Sequence, residues 1–232
     1  MLRFDPKVLE GLKLRELIVG YLKKSIVEED IYDKFNDLQV LQLVASNMSE
    51  IPAFPASVRE LNLFNNRITS IKAADFKILN ETNSSSNTPT RFEVLNLVYN
   101  RIATIEAYAF ANLSRLRILD MDANKVLSKI DEYSFAQSTV EELHLDLNGI
   151  RSIDPGAFRG LHLSILELGS NTIRKIERNP FPGSSIQQIN LIFNEVEIIE
   201  PPAFSDVKNL QMLVLSYNRM GKIGEIFSRC KL

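Results

Sequence analysis

Five carboxylates and one imidazole recur at matching places in neighbouring segments of this chain: Asp120 and Asp122, then Glu142, His144 and Asp146, then Glu167. The segments repeat about every 23–24 residues, so these groups meet only if the backbone returns to the same place on each pass. Brought together, the carboxylates repel one another, and a partner carrying Lys or Arg would relieve that repulsion. Other chemistries fit less well. Asp120, Asp122 and Asp146 could face a calcium ion, but they lack the loop geometry that wraps one. The second histidine, His162, reads into a turn away from the carboxylates. Cys230 is a lone thiol, and neither a Gly-rich phosphate loop nor a metal-ligand spacing occurs. The sequence therefore points to a binding protein, not an enzyme, with no cofactor and no metal.

Apolar residues flank the acidic group in the same register: Phe64, Val98 and Tyr99 on one side, and Ile192, Phe193 and Tyr217 on the other. Aromatic anchors of this kind are enriched at protein interfaces. A solvated face needs polar residues whatever its role, so the juxtaposition of acids with aromatics carries more weight than the acids alone.

The elements that must position these residues follow from the repeat. The pattern L-x-x-L-x-L-x-x-N-x-I-x-x-I returns eight times, beginning at Leu38, Val58, Phe92, Leu116, Val140, Leu163, Ile186 and Leu210, with a degenerate copy from Leu14. Within a copy, alternation turns Leu95 and Leu97 inward and leaves Val94, Asn96 and Val98 facing out, which is one short strand. Seven copies then carry an asparagine: Asn66, Asn100, Asn124, Asn148, Asn171, Asn194 and Asn218. An amide both donates and accepts, so stacked copies predict a ladder that satisfies the turn backbone. Ile102, Ile105 and Phe110 re-enter the core in one copy, and Phe76, Phe135, Phe158, Phe181 and Phe204 are the equivalent aromatics of others. No single coil buries such faces, so stability must come from stacking on neighbours.

This pattern resembles the leucine-rich-repeat proteins, in the 24-residue subclass common in extracellular receptors and adhesion proteins. The pairs Ala109-Phe110, Ala157-Phe158 and Ala203-Phe204 carry the subclass likeness. The resemblance implies an α/β solenoid, a right-handed horseshoe with a concave parallel β-sheet and a mostly irregular or short-helical convex side. It also implies that the concave face binds another macromolecule. The expected ligand-binding residues are thus Phe64, Val98, Tyr99, Asp120, Asp122, Glu142, His144, Asp146, Glu167, Ile192, Phe193 and Tyr217.

One domain is expected over residues 1–232, with residues 1–37 as a degenerate N-terminal repeat or cap and 38–232 as eight repeats. Ser25 to Glu28 reads as a capping box, opening a short helix on the back. Between Phe76 and Phe92 the period stretches, and the polar residues 77–91 predict a loop on the convex side. An extra residue also lies between Val126 and Ile130. A formal charge of −2 gives no polyanion-binding footprint, so no nucleic-acid partner is expected. No apolar run reaches the roughly 18–20 residues that span a bilayer, so this segment should not insert in a membrane.

Four N-x-S/T sequons at Asn47, Asn80, Asn83 and Asn112 favour an extracellular or cell-surface location with glycosylation. The single cysteine excludes the internal disulfides that cap extracellular relatives, and so favours the alternative, a cytoplasmic scaffold. The last repeat carries Leu213, Leu215, Met220 and Ile223 without a polar cap. The expectation is that the natural chain continues or that this end self-associates.

Overall fold

The computed structural model describes residues 11–21, 35–76, 79, 91–111 and 113–221. The cap helix expected from Ser25, the insertion 77–91 apart from Leu79 and Arg91, the sequons at Asn80, Asn83 and Asn112, and Ile223 and Cys230 lie outside these residues. Leu79, expected in the surface loop, is buried in the core because its apolar side chain packs there.

Nine parallel strands form one sheet in chain order: Glu16–Gly20, Val40–Val44, Glu60–Asn62, Val94–Asn96, Ile118–Asp120, Glu142–His144, His162–Glu167, Ser185–Asn190 and Met212–Val214. Register follows the inward leucines. Leu17, Leu41, Leu61, Leu95, Leu119, Leu143, Leu166, Ile189 and Leu213 pair in one unbroken file. A slip by one residue would expose this entire file, so the hydrophobic pattern alone pins the register. His162 opens a six-residue strand opposite Ser185. It does not sit in a back turn as its Gly-Leu-His context suggested, because the strand extends further where its neighbour Ser185–Asn190 is equally long.

The opposite side of each coil is closed by phenylalanine. Phe110, Phe135, Phe158, Phe181 and Phe204 stack face to face at centroid distances of 5.6, 5.6, 5.3 and 5.7 Å. Paired strands lie about 4.8 Å apart, so the back is spaced more widely than the sheet, and the sheet is the inside of the curve. Regular helix is nearly absent among the described residues, with a 3-10 turn at Ala73–Phe76. Three short parallel pairs edge the back: Ser70–Ile71 with Thr104–Ile105, Lys129–Ile130 with Ser152–Ile153, and Lys175–Ile176 with Ile198–Ile199.

The asparagines join consecutive coils. Asn124 Nδ2 donates to Leu97 O of the preceding coil at 3.0 Å and to Met121 O at 2.9 Å, while its Oδ1 accepts from Ile102 N at 3.0 Å. Asn66, Asn100, Asn171, Asn194 and Asn218 repeat this scheme. Asn148 does not. Its Nδ2 bonds are longer, 3.2 Å to both Met121 O and Asp146 O, and its buried Oδ1 has no partner among the described residues. The extra residue in the preceding coil explains the difference. Leu127, the counterpart of Ile102, turns its N–H back to Asn124 O. The same bulge presses Lys125 O toward Gly149, where a Cβ would sit only 2.7 Å away, so glycine is required at that position.

Asn124→Ala leaves the buried Ile102 N–H without its acceptor and removes one of two amide donors from Leu97 O and Met121 O, which keep Asn100 Nδ2 and Asn148 Nδ2. It is expected to cost about 3 kcal/mol. Asn148→Ala should cost about 1–2 kcal/mol less, because its rung is already incomplete. Urea denaturation of the two variants compares them, and equal losses would mean that the bulge does not weaken the rung.

Candidate functional site

The outward sides of the strands form two files beside the buried leucine file. In one, Asn62, Asn96, Asp120, His144, Glu167 and Asn190 are successive register partners. In the other, Ile118, Glu142 and Ile165 are neighbours. Asp122 and Asp146 lie just past their strand ends, and each accepts a hydrogen bond from the coil that follows. The acidic residues and His144 are therefore brought together over three adjacent coils. His144 Nε2 lies 3.7 Å from Glu142 Oε2. Glu167 Oε2 is buried and has no hydrogen-bond partner among the described residues.

The aromatic shoulders form two pairs. Phe64 and Tyr99 meet edge to face at 5.5 Å, and Phe193 and Tyr217 stack at 4.5 Å. Tyr99, Phe193 and Tyr217 are 52%, 53% and 72% exposed, so they are surface side chains and not edge packing; Phe64, Val98 and Ile192 are half-buried. Asn47, the one described sequon residue, is half-buried, with its backbone at φ 56°.

A division of labour within the acids was not legible in the sequence. In four coils the outward Asn or Asp accepts the N–H two residues on: Asn62 from Phe64, Asn96 from Val98, Asp120 from Asp122 and Asn190 from Ile192, at 3.0–3.2 Å. Where His144 and Glu167 occupy that position, the neighbouring coil supplies the acceptor. Asp122 Oδ1 takes Asp146 N at 2.7 Å, and Asp146 Oδ1 takes Gly169 N at 2.5 Å. Asp120, Asp122 and Asp146 thus serve the backbone as well as the surface. The signal was the loss of Asn/Asp at 144 and 167 against its presence at 62, 96, 120 and 190.

Burial and the neighbouring Asp120 and Asp146 raise the Asp122 carboxyl to about 6, against the pull of the Asp146 N–H and His144. Asp146 is also raised, by burial first and then by Glu167, against the Gly169 N–H. The folded state therefore holds the Asp122 proton more tightly than the unfolded chain, whose ordinary value is 3.8. Ionisation penalises the fold progressively as pH rises from about 4 to about 6, and fully above that. Asp122→Asn keeps an acceptor for the Asp146 N–H but cannot ionise. It is expected to melt a few degrees above the parent at pH 7.5 and level with it near pH 4. Thermal unfolding at both values checks this, and a variant less stable at pH 7.5 would contradict it.

A second feature runs along the rim between the sheet and the ladder. The residue before each ladder asparagine has a left-handed backbone: Asn65, Tyr99, Ala123, Leu147, Ser170, Phe193 and Tyr217, all with φ of 53–57°. Its N–H donates to the next coil, as in Tyr99 N to Asp122 O and Leu147 N to Gly169 O, both at 3.1 Å. Among the described residues no group of three or more His, Cys, Asp or Glu side chains is placed to hold a metal ion.

The BspA type leucine rich repeat region, in six copies, matches residues 56–139, 87–191 and 128–232. Asporin of Bos taurus is 30% identical over 169 residues, covering 72% of this chain and 42% of its own. Toll-like receptor 8 of Homo sapiens is 30% identical over 146 residues, 59% of this chain and 14% of its own. Transforming growth factor beta activator LRRC33 of Danio rerio is 27% identical over 178 residues, 70% of this chain and 24% of its own. This chain thus spans less than half the length of these curated relatives. The crystal structure of a TLR13-ssRNA13 complex superposes with a TM-score of 0.66 at 26% identity, covering 83% of this chain and 27% of that one. With the parallel-strand solenoid, the asparagine ladder and a family match running from residue 56 to residue 232, the chain belongs to the leucine-rich-repeat proteins.

Proposed function

We propose that this chain is a non-enzymatic recognition module that binds a basic protein partner on its concave sheet face, at the cell surface or outside the cell. The observation that carries this reading is the concentration on three adjacent coils of carboxylates without a Lys or Arg partner among the described residues, between two aromatic pairs that expose Tyr99, Phe193 and Tyr217. Its relatives point the same way: one is named a receptor and another an activator of a growth factor. No described helix is long and apolar enough to cross a membrane. One solved neighbour is a complex with RNA, but a phosphate backbone would meet like charge on this face. The cytoplasmic scaffold is the second reading, favoured by the lone Cys230. Glycan mass on material from the natural source separates the two.

The cleanest charge test avoids Asp122 and Asp146, which hold the backbone. Glu142→Lys combined with Glu167→Gln is expected to weaken a captured partner by about 2 kcal/mol, roughly thirty-fold in Kd. Binding measured by interferometry at two salt concentrations would show the loss in dissociation rate and in salt dependence. An unchanged affinity would move the site off the sheet.

A further inference from the structure

The rim row alternates in size. Tyr99, Leu147 and Phe193 are 52%, 52% and 53% exposed, and between them stand the small side chains of Ala123 and Ser170. One coil step is about 4.8 Å at the sheet, so from Tyr99 to Phe193 a large apolar side chain projects roughly every 10 Å, with a gap between consecutive ones. Phe64 buttresses Tyr99 at one end, and Tyr217 stacks on Phe193 at the other. Each projecting residue sits in left-handed backbone, the region where a bulky L side chain is sterically disfavoured and Asn or Gly is the inexpensive choice. Asn65 shows that this chain uses the inexpensive choice at the same position of an earlier coil. Burial does not explain the bulky residues, since half of each side chain faces solvent. Strain that the fold does not need, repeated at three coils, argues for a role outside the fold.

Resting on the reading of the sheet face as the binding face, we infer that this rim is a toothed docking edge for a basic amphipathic segment of a partner protein. The segment's apolar side chains would repeat about every 10 Å and enter the gaps at Ala123 and Ser170. Its Lys or Arg side chains would lie over Glu142, Asp146 and Glu167. Charge complementarity selects the class of partner, because the acid band runs alongside the teeth for their whole central length. The N–H of each tooth is bonded to the next coil, so the spacing is rigid and can discriminate by length.

The test uses the full chain and, as probe, peptides selected on it from a displayed random 15-residue library. Tyr99→Asn, Leu147→Asn and Phe193→Asn place the residue of position 65 at each tooth. Each is expected to leave the melting temperature unchanged or higher and to weaken the selected peptides ten-fold or more. Ser170→Tyr fills a gap with a side chain the backbone already tolerates at 99 and 217, and should weaken them similarly. Peptides lost with Glu142→Lys but indifferent to the four rim variants would overturn the docking edge and leave the sheet reading standing. Peptides indifferent to every variant, or a library yielding no binder at micromolar concentration, would overturn both. A melting temperature lowered by the Asn variants would show that the teeth serve the fold, and would also end the inference.

Discussion

Phe135→Ala is expected to remove about 3–5 kcal/mol of stability, the usual range for truncating a fully buried aromatic. Phe135 has no exposed surface and stacks between Phe110 and Phe158 at 5.6 Å on both sides, with interplanar angles of 4° and 10°. The substitution therefore opens a cavity and severs two aromatic contacts at once. In a solenoid, each coil is stabilised by its two neighbours and by nothing more distant, so the damage should be local as well as large. Hydrogen exchange should show lost protection in the strands Ile118–Asp120 and Glu142–His144 while Val40–Val44 stays protected. Phe204, half-buried and stacked at 5.7 Å on Phe181, should cost about half as much when truncated. Equal costs at the two positions would show that the stack of rings is not what couples the coils.

Asp122→Ala is expected to cost up to about 3 kcal/mol in the parent chain, because it strands the Asp146 N–H without an acceptor. The same substitution made on His144→Asn should cost almost nothing. Asn at 144 recreates the arrangement of Asn96 and Val98, in which the side chain accepts the N–H two residues on. The two changes thus form a cycle with a coupling energy of about 1–3 kcal/mol, well above the additivity expected of independent sites. His144→Asn alone should leave stability level or slightly higher while weakening any partner held on the acid band. Additive losses in denaturant titrations would disprove the exchange of acceptors between coils. The cycle also bears on function. A chain that gives up its own cap at 144 and 167, and ionises a half-buried Asp122 to replace one of them, carries a cost that the fold alone does not call for.

The inward leucines, the returning isoleucines, the phenylalanine stack and the ladder asparagines could all be read from the chain, and so could the grouping of Asp120, His144 and Glu167 in one outward file. Each follows from a period that every copy repeats, so knowing one coil places the others. The irregularities were only partly visible. The extra residue near Val126 could be counted, but nothing in the count said that Asn148 Oδ1 would lose its donor or that Gly149 would be forced by the carbonyl of Lys125. The Gly160-Leu161-His162 context suggests a turn, whereas pairing with Ser185 draws His162 into a strand.

By itself the sequence determined the repeat, its register and which faces are buried, because hydrophobic burial is set by residue type and alternation within a single coil. Tertiary structure alone decided which coil supplies each hydrogen-bond acceptor, which carboxylate is pushed up toward neutrality, and that Tyr99, Leu147 and Phe193 stand out from a left-handed rim. Those properties belong to contacts between coils about 23–24 residues apart. The donor of one coil and the acceptor of the next are independent in the chain until stacking brings them within bonding distance.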